Sequence, residues 1–376
     1  MKIIHIVENL DKGAVENWLV KTFIESRKYQ PNWHWSFYCI LGERGKLDTL
    51  VHQAGGEIIY APVSISHKIS FLIHLRKTLK AGHYDILHAH HDYLSGFYLL
   101  ASTDVKFSKR ILHIHNTDKA LPVGNPFLRR ILLGPFKKLG FYFSDIIVGI
   151  SNDTLHEFVG SRTSRRLQFK ILYYGVDLKE YEWKIDPHLI RSELRLPATS
   201  KILLFVGRMN LLKNPVFVVD VLANILTDRN DVYAVFVGKG DLEDTVEERA
   251  RYLKISEHVR LLGWCNDSAL IFKSADVFIF PRIEYPKEGL GLVVVEAQAA
   301  GIPMVISRGI VPDAIVVEEL AHVIPLENNP KAWASKILEI LNNSFPYPAE
   351  KAFERIQQSP FELGAATKNL LALYEE

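Results

Sequence analysis

The chain has 376 residues, 48% of them hydrophobic, with 45 Lys and Arg against 43 Asp and Glu and only two cysteines. That length and apolar content suit two domains of ordinary size, each with its own core. Cys39 and Cys265 stand far apart, outside any CxxC or Cys/His cluster, so neither a disulfide framework nor a zinc site has support and a reducing cytoplasm fits best.

In chain order, the opening "KIIHIV" reads as a buried strand rather than a signal peptide, and no stretch reaches the roughly 20 apolar residues that span a bilayer. "WSFYCIL", "EIIYA", "DILHAH", "RILHIH" and "DIIVGIS" follow as strand candidates. After a polar stretch, "YYGVDLKEYEWKIDPHLIRSELRLPATS", the series restarts with "KILLFVG", "VYAVFVG", "VRLLG", "DVFIFP" and "PMVIS". Near-continuous Val/Ile/Leu runs joined by helical crossovers indicate parallel sheets covered on both faces. The expected fold is therefore α/β, with two doubly wound Rossmann-like domains, a boundary near 175–200 and a ligand cleft between them. Residues 1–180 carry 24 Lys and Arg against 16 Asp and Glu, a balance of +8, and residues 181–376 carry 21 against 27, a balance of −6. A basic half suits an anionic membrane surface or a phosphorylated substrate, and no nucleic-acid-binding motif accompanies it. "NPFLRRILLGPFKKLGFYF", Asn125 to Phe143, mixes Arg129, Arg130, Lys137 and Lys138 with aromatic residues, as membrane-surface segments do and as a helix beside an acceptor would.

Ligands of doubly wound sheets sit beyond the carboxyl ends of the strands. There the second half places "FVGRMNLLKNP", "FVGKGDLED" and "LLGWCND". Glycines such as Gly207 let backbone N–H groups approach an anion, and Arg208 and Lys213 in the same turn suit a diphosphate. In "KEGLGLVVVEAQAAG" a helix starting near Gly291 directs its positive end at that anion. Glu296, one to two turns into the helix, suits the vicinal hydroxyls of a ribose, and Glu288, in the preceding loop, reaches a second sugar.

"EGLGLVVVEAQAAGIPMVIS" resembles the E-x7-E signature of the GT-B retaining glycosyltransferases of family 4, especially the EpsF-like exopolysaccharide and capsule branch. The likeness runs through "NLDKGAVEN", "DILHAHH", "RILHIHNT", "VGRMNLLKN" and the closing "SPFELGAATKNLLALYEE". It implies an acceptor-side domain over 1–180, a nucleotide-sugar domain over 181–358 and a last helix, from about 359 to 376, that packs back on the first domain. It also implies that Arg208 and Lys213 bind the donor diphosphate, Glu296 the ribose and Glu288 the donor sugar, beside Gly289, Leu290 and Gly291. Gly207, Gly238, Gly240 and Leu242 would border the nucleotide, and Gly263 to Asn266, with Trp264 and Cys265, the base. Gly13 would approach the phosphates or sugar, and His115 the reacting carbon; for His88, His90, His91 and His113 a packing role is expected. The resemblance implies no metal and no cofactor beyond the nucleotide-sugar co-substrate, most often a UDP-sugar. The acceptor implied is a saccharide, presented on a lipid at the inner face of the membrane.

Tyr174 stands where the family has Asn, "IEYPK" lengthens the loop before Glu288 and offers Glu284 as a rival acid, and Lys239 replaces a common acidic residue. A dinucleotide oxidoreductase would need G-x-G-x-x-G after the first strand, and "ENLDKGAVE" lacks it. A GT-B sugar-nucleotide epimerase and a non-catalytic nucleotide-sugar-binding relative remain as alternatives.

Overall fold

The computed structural model describes residues 1–11, 13–116, 126–160, 167–182, 186–265, 268–343 and 347–376. Two compact units emerge, one formed by Met1–Gly175 with Leu363–Glu376 and the other by Val176–Glu362.

The first unit is built on β1 (Lys2–Val7), β2 (His34–Cys39), β3 (Glu57–Tyr60), β4 (Ile86–Ala89), β5 (Lys109–Ile114), β6 (Ile146–Gly149) and β7 (Gln168–Ile171). All pair in parallel, in the order β3-β2-β1-β4-β5-β6-β7. The second is built on β8 (Lys201–Val206), β9 (Val232–Val237), β10 (Val259–Leu261), β11 (Val277–Phe280), β12 (Met304–Ile306) and β13 (Ala321–Val323). Its order is β10-β9-β8-β11-β12-β13, again parallel. Both are Rossmann-like sheets whose order reverses at one place, between β1 and β4 and between β8 and β11. At such a switch point neighbouring crossovers leave on opposite faces and open a crevice at the carboxyl ends. The expected strands all form. β7 and β13 were not expected; both are short edge strands, half exposed and poor in β-branched residues.

The closing helix, Leu363–Glu375, packs on the first helix, Ala14–Ser26. Lys109 Nζ donates to the Leu373 and Tyr374 carbonyls at 3.0 and 2.9 Å, satisfying two of the carbonyls that a helix end leaves without partners.

Beneath these helices the first sheet buries imidazoles where aliphatic side chains are usual. His5 pairs with His88 across β1 and β4, and residues two apart on a strand share a face, so His88 with His90 and His113 with His115 form a block. His5 Nδ1 lies 3.0 Å from His90 Nε2, and His90 Nδ1 lies 3.1 Å from His115 Nε2. His115 Nδ1 meets the Tyr174 hydroxyl, and Tyr174 stacks on Trp18 at 4.5 Å. A second chain runs from His113 Nδ1 to His88 Nε2 at 3.2 Å and from His88 Nδ1 to the Tyr374 hydroxyl at 2.7 Å. A neutral imidazole has one N–H and one lone pair, which is what a chain link needs.

Burial drives all of these imidazoles towards the neutral form: His5 falls to about 3, neighbouring His91 to about 4, and His88, His90, His113 and His115 lie well below the usual value. The unfolded chain takes up protons near 6.5, the folded chain only at lower pH, so the unfolded state binds more protons in between. Stability is therefore complete above about pH 6.5 and drains away from there towards pH 4 and 3, each group contributing a slope of at most about 1.4 kcal/mol per pH unit. A melting temperature flat from pH 8 to 7 and falling steeply below pH 6 is expected in thermal unfolding scans. A temperature unchanged down to pH 5 would contradict the neutral layer.

Candidate active site

In the second unit three turns are zipped together at the carboxyl edge. Gly207 N–H donates to Val237 O at 2.9 Å, Gly238 N–H to Gly263 O at 2.8 Å, and Met209 N–H to Lys239 O at 3.0 Å. This closeness requires glycine at two points. A Cβ on Gly238, whose φ is +125°, would lie 2.1 Å from Gly207 O, and one on Gly240 would lie 2.3 Å from Met209 O. Leu242 caps the helix Glu243–Tyr252 as its N–H donates to Met209 O at 3.0 Å. Arg208 is exposed, Trp264 is 69% exposed and Cys265 is half-buried. Asn266 lies outside the described residues.

The β8/β11 switch point joins the expected diphosphate residue to the expected sugar residue. The turn after β8 is closed by Lys213 N–H donating to Asn210 Oδ1 at 3.1 Å, and it lays Lys213 Nζ over the Phe280 ring at the end of β11, 4.9 Å from its centre. Glu288 Oε2 accepts from Lys213 Nζ at 2.5 Å and from Arg282 Nε at 2.5 Å. Burial acts to raise the Glu288 carboxyl, but the two cations outweigh it and hold the group below the usual carboxylate range. Burial likewise lowers the Lys213 ammonium, against the pull of Glu288. Arg282 is only 3% exposed and was not anticipated, although a cation two residues beyond β11 is the same signal that singled out Arg208 after β8. Its Nη1 donates to Ile283 O at 2.8 Å and to Pro286 O, fixing the lengthened loop. Glu284 is occupied elsewhere, accepting from Leu326 N–H at 3.0 Å, which removes it as a rival to Glu288.

The helix after this loop spans Leu292–Ala299, with Gly291 as its N-cap at φ +84°. That left-handed conformation suits glycine and turns the chain into the helix. Leu290 and Gly291 are buried, Gly289 is half-buried, and Glu296 lies half-buried one turn in.

In the first unit a cavity of about 360 Å³ opens beyond β1, β4 and β5, lined among others by Glu8, Glu16, His91, Asp92 and His115. Burial raises the carboxyls of Glu16 and Asp92. Asp92, at φ +44°, accepts from His115 N–H at 2.6 Å and from Asn116 Nδ2 at 3.0 Å. Gly13 caps the first helix with the Glu16 carboxylate over it: an added Cβ would lie 2.1 Å from Glu16 Oε2. His115 reaches the cavity as part of the imidazole layer, both ring nitrogens bonded; His90 and His91 line the cavity with it, and His88 and His113 do not. The departure at Tyr174 supplies one of those bonds.

Residues 126–143 form one helix, and among its described side chains Ile131, Leu132 and Tyr142 are 54%, 51% and 69% exposed. Phe136 and Phe141 instead pack on the core, and Lys137 Nζ lies 4.8 Å from the Phe158 ring centre. Asn125 and the side chains of Arg129 and Arg130 lie outside the described residues. No helix of the described residues is long and apolar enough to cross a membrane.

A family model described as glycosyl transferases group 1 matches residues 188–358, and one described as glycosyltransferase family 4 matches residues 34–180. EpsF of Bacillus subtilis (strain 168) is 24% identical over 339 residues, 89% of this chain and 86% of EpsF. The capsular polysaccharide biosynthesis glycosyltransferase CapH of Staphylococcus aureus is 23% identical over 378 residues, 100% of this chain and 98% of CapH. Among solved structures, HepE of Anabaena in complex with UDP is similar at a TM-score of 0.80 and 17% identity, over 100% of both chains. With one model on each parallel-sheet unit and relatives spanning nearly the whole length, the chain belongs to the family 4 glycosyltransferases of GT-B fold.

Proposed function

We propose that the protein moves a sugar from a nucleotide diphosphate donor, with UDP-sugars first, to a hydroxyl of a growing surface saccharide carried on a lipid. The reading has the anomeric configuration retained and no metal or cofactor taking part. The observation that carries it is the joining of Lys213, Glu288 and Arg282 at the switch point, beside turns that present bare backbone. The UDP held by HepE and the polysaccharide named for CapH support the donor and the product class.

In this reading Arg208 and Lys213 meet the diphosphate, the side-chain-free backbone at Gly207, Gly238 and Gly240 and the N–H groups at the start of the Leu292–Ala299 helix border it, and departing charge is neutralised in place. Glu296 accepts from the ribose hydroxyls and Glu288 from the donor sugar, while Leu242, Trp264 and Cys265 border the nucleoside. Gly13, Gly289, Leu290 and Gly291 leave room for the sugar. His115, neutral and tied to Tyr174, fits a fixed neighbour of the reacting carbon better than a proton carrier. The acceptor hydroxyl then attacks from the face the nucleotide leaves and passes its proton to the departing phosphate oxygen. The acceptor saccharide enters the first unit's cavity, and the enzyme works in the cytoplasm at the membrane's inner face.

Calorimetric binding of UDP is expected to persist in EDTA and to weaken at least about tenfold in Lys213→Ala, the loss of one charge-assisted contact. Equal binding by variant and wild type would remove the diphosphate assignment. Glu288→Gln should lower kcat far more than it weakens UDP binding, whereas Glu296→Ala should weaken UDP binding itself; one shared pattern would refute the assignment of two sugars to two acids. Sedimentation with anionic liposomes at low salt, lost at high salt and reduced when Arg129, Arg130, Lys137 and Lys138 become Gln, is expected of the membrane contact. Failure to sediment with any liposome would leave the acceptor to be delivered from solution.

A further inference from the structure

Glu288 is shared by two cations of different standing. Arg282 is buried, always charged, and fixed by its own bonds to Ile283 O and Pro286 O. Lys213 has a flexible stem and, besides Glu288, rests on the face of Phe280. A half-buried carboxylate that loses its only cation is left with a large desolvation cost, whereas one with a second, immovable partner can release the first.

We propose that Arg282 is a positioning residue of the donor site, which keeps Glu288 paired as a carboxylate and so frees Lys213 to move to the donor diphosphate. The inference rests on the donor-site reading above and adds an exchange to it. In the ligand-free state Glu288 holds both cations; when a diphosphate arrives, Lys213 changes partner and Arg282 keeps the acid in place facing the sugar. The lengthened loop Ile283 to Lys287 gains a purpose here, since its carbonyls aim the guanidinium. The charged groups acting on Glu288 are Lys213 and Arg282, and Arg208 adds positive field at Lys213.

Without Arg282, a diphosphate must compete with Glu288 for Lys213, and success strands the acid unless it takes up a proton. Binding in Arg282→Ala should therefore become proton-linked in a way that wild type is not. The test is calorimetry with UDP at pH 8.0 and 6.0, in buffers of different ionisation enthalpy, on wild type, Arg282→Ala, Arg282→Lys, Glu288→Gln and the Arg282→Ala/Glu288→Gln double variant. Comparing each variant with wild type at the same pH cancels the titration of UDP itself. Arg282→Ala is expected to bind about tenfold more weakly than wild type at pH 8.0 and within about threefold at pH 6.0, with extra proton uptake. The double variant should bind within about twofold of Glu288→Gln, because removing the acid removes the competition.

Arg282→Lys, which keeps the charge and loses the fork, should show the same narrowing at smaller amplitude, and it carries the test if Arg282→Ala does not fold. Wild-type affinity in Arg282→Ala at both pH values would overturn the proposal. So would a loss that is equal at both pH values and unrelieved by Glu288→Gln, since that is the mark of a merely structural arginine. If wild type binds none of UDP, GDP and ADP, the donor-site reading itself falls and takes this inference with it, an outcome distinct from failure of the variants alone.

Discussion

One carboxylate oxygen, Glu288 Oε2, accepts from two cations at 2.5 Å each, and the second domain is arranged around the need to balance that charge away from bulk water. The strand order makes the meeting unavoidable. β8 and β11 are adjacent but lie on opposite sides of the reversal, so the turn bearing Lys213 and the loop bearing Arg282 leave from neighbouring strand ends. Glu288 closes the triangle because its own N–H donates to Gly309 O at 2.8 Å, pinning the loop to the segment after β12. A lone acid or a lone arginine there would each cost several kcal/mol. Together they are tolerable and leave one cation, Lys213, that can change partner.

The first domain solves the same problem by the opposite route. Its buried imidazoles are not paired as ions but kept neutral, with lone pair and N–H alternating along two chains that each end on a tyrosine hydroxyl. A neutral chain transmits orientation rather than charge: once Tyr174 fixes His115, the rings of His90 and His5 follow. Such a layer is rigid and poorly suited to taking up a proton, since whichever ring took it up would be charged in a low-dielectric interior. Neutral imidazoles that border the cavity therefore fit hydroxyl-rich sugars better than anions, and the closing helix, through Tyr374, is part of their support.

How much of this was legible depended on whether a feature reports itself locally. Interior strands did, because burial on both faces demands unbroken apolar runs such as "KILLFV" and "VFIF". Two of the four edge strands, in "EIIYA" and "VRLLG", did as well, but the other two did not: "QFKI" and "AHV" carry no such run. Glu288 and Glu296 stood out because acids in an apolar, glycine-bounded stretch need a reason. Arg282 had the same claim as Arg208 but sat in "FPRIEYPK", which read as loop lengthening rather than chemistry. Tyr174 read as a departure, yet it is the partner of His115; a hydroxyl 59 residues from its imidazole leaves no trace in spacing. Likewise the reassignment of Glu284 to the Leu326 amide needed the fold.

Net charge was the least transferable of the sequence signals. The first half sums to +8, which suggests an electropositive site, but the cavity beyond β1, β4 and β5 is lined by Glu8, Glu16 and Asp92 with neutral imidazoles beside them. Screening limits each surface charge to a range of about 8 Å at physiological salt, so a sum over a whole domain says little about one crevice. Among the described residues, several of the cations in that total lie away from the cavity, such as Arg76, Lys77 and Lys80 on the exposed face of Lys68–Gly82. In the proposed reaction this separates two tasks. Carboxylates in the cavity can accept from sugar hydroxyls and repel phosphate, so the acceptor's saccharide end, rather than its anionic anchor, belongs beside His115. On that proposal the anionic anchor is left to cations outside the cavity, and the length of carbohydrate between anchor and acceptor hydroxyl becomes a requirement on the acceptor.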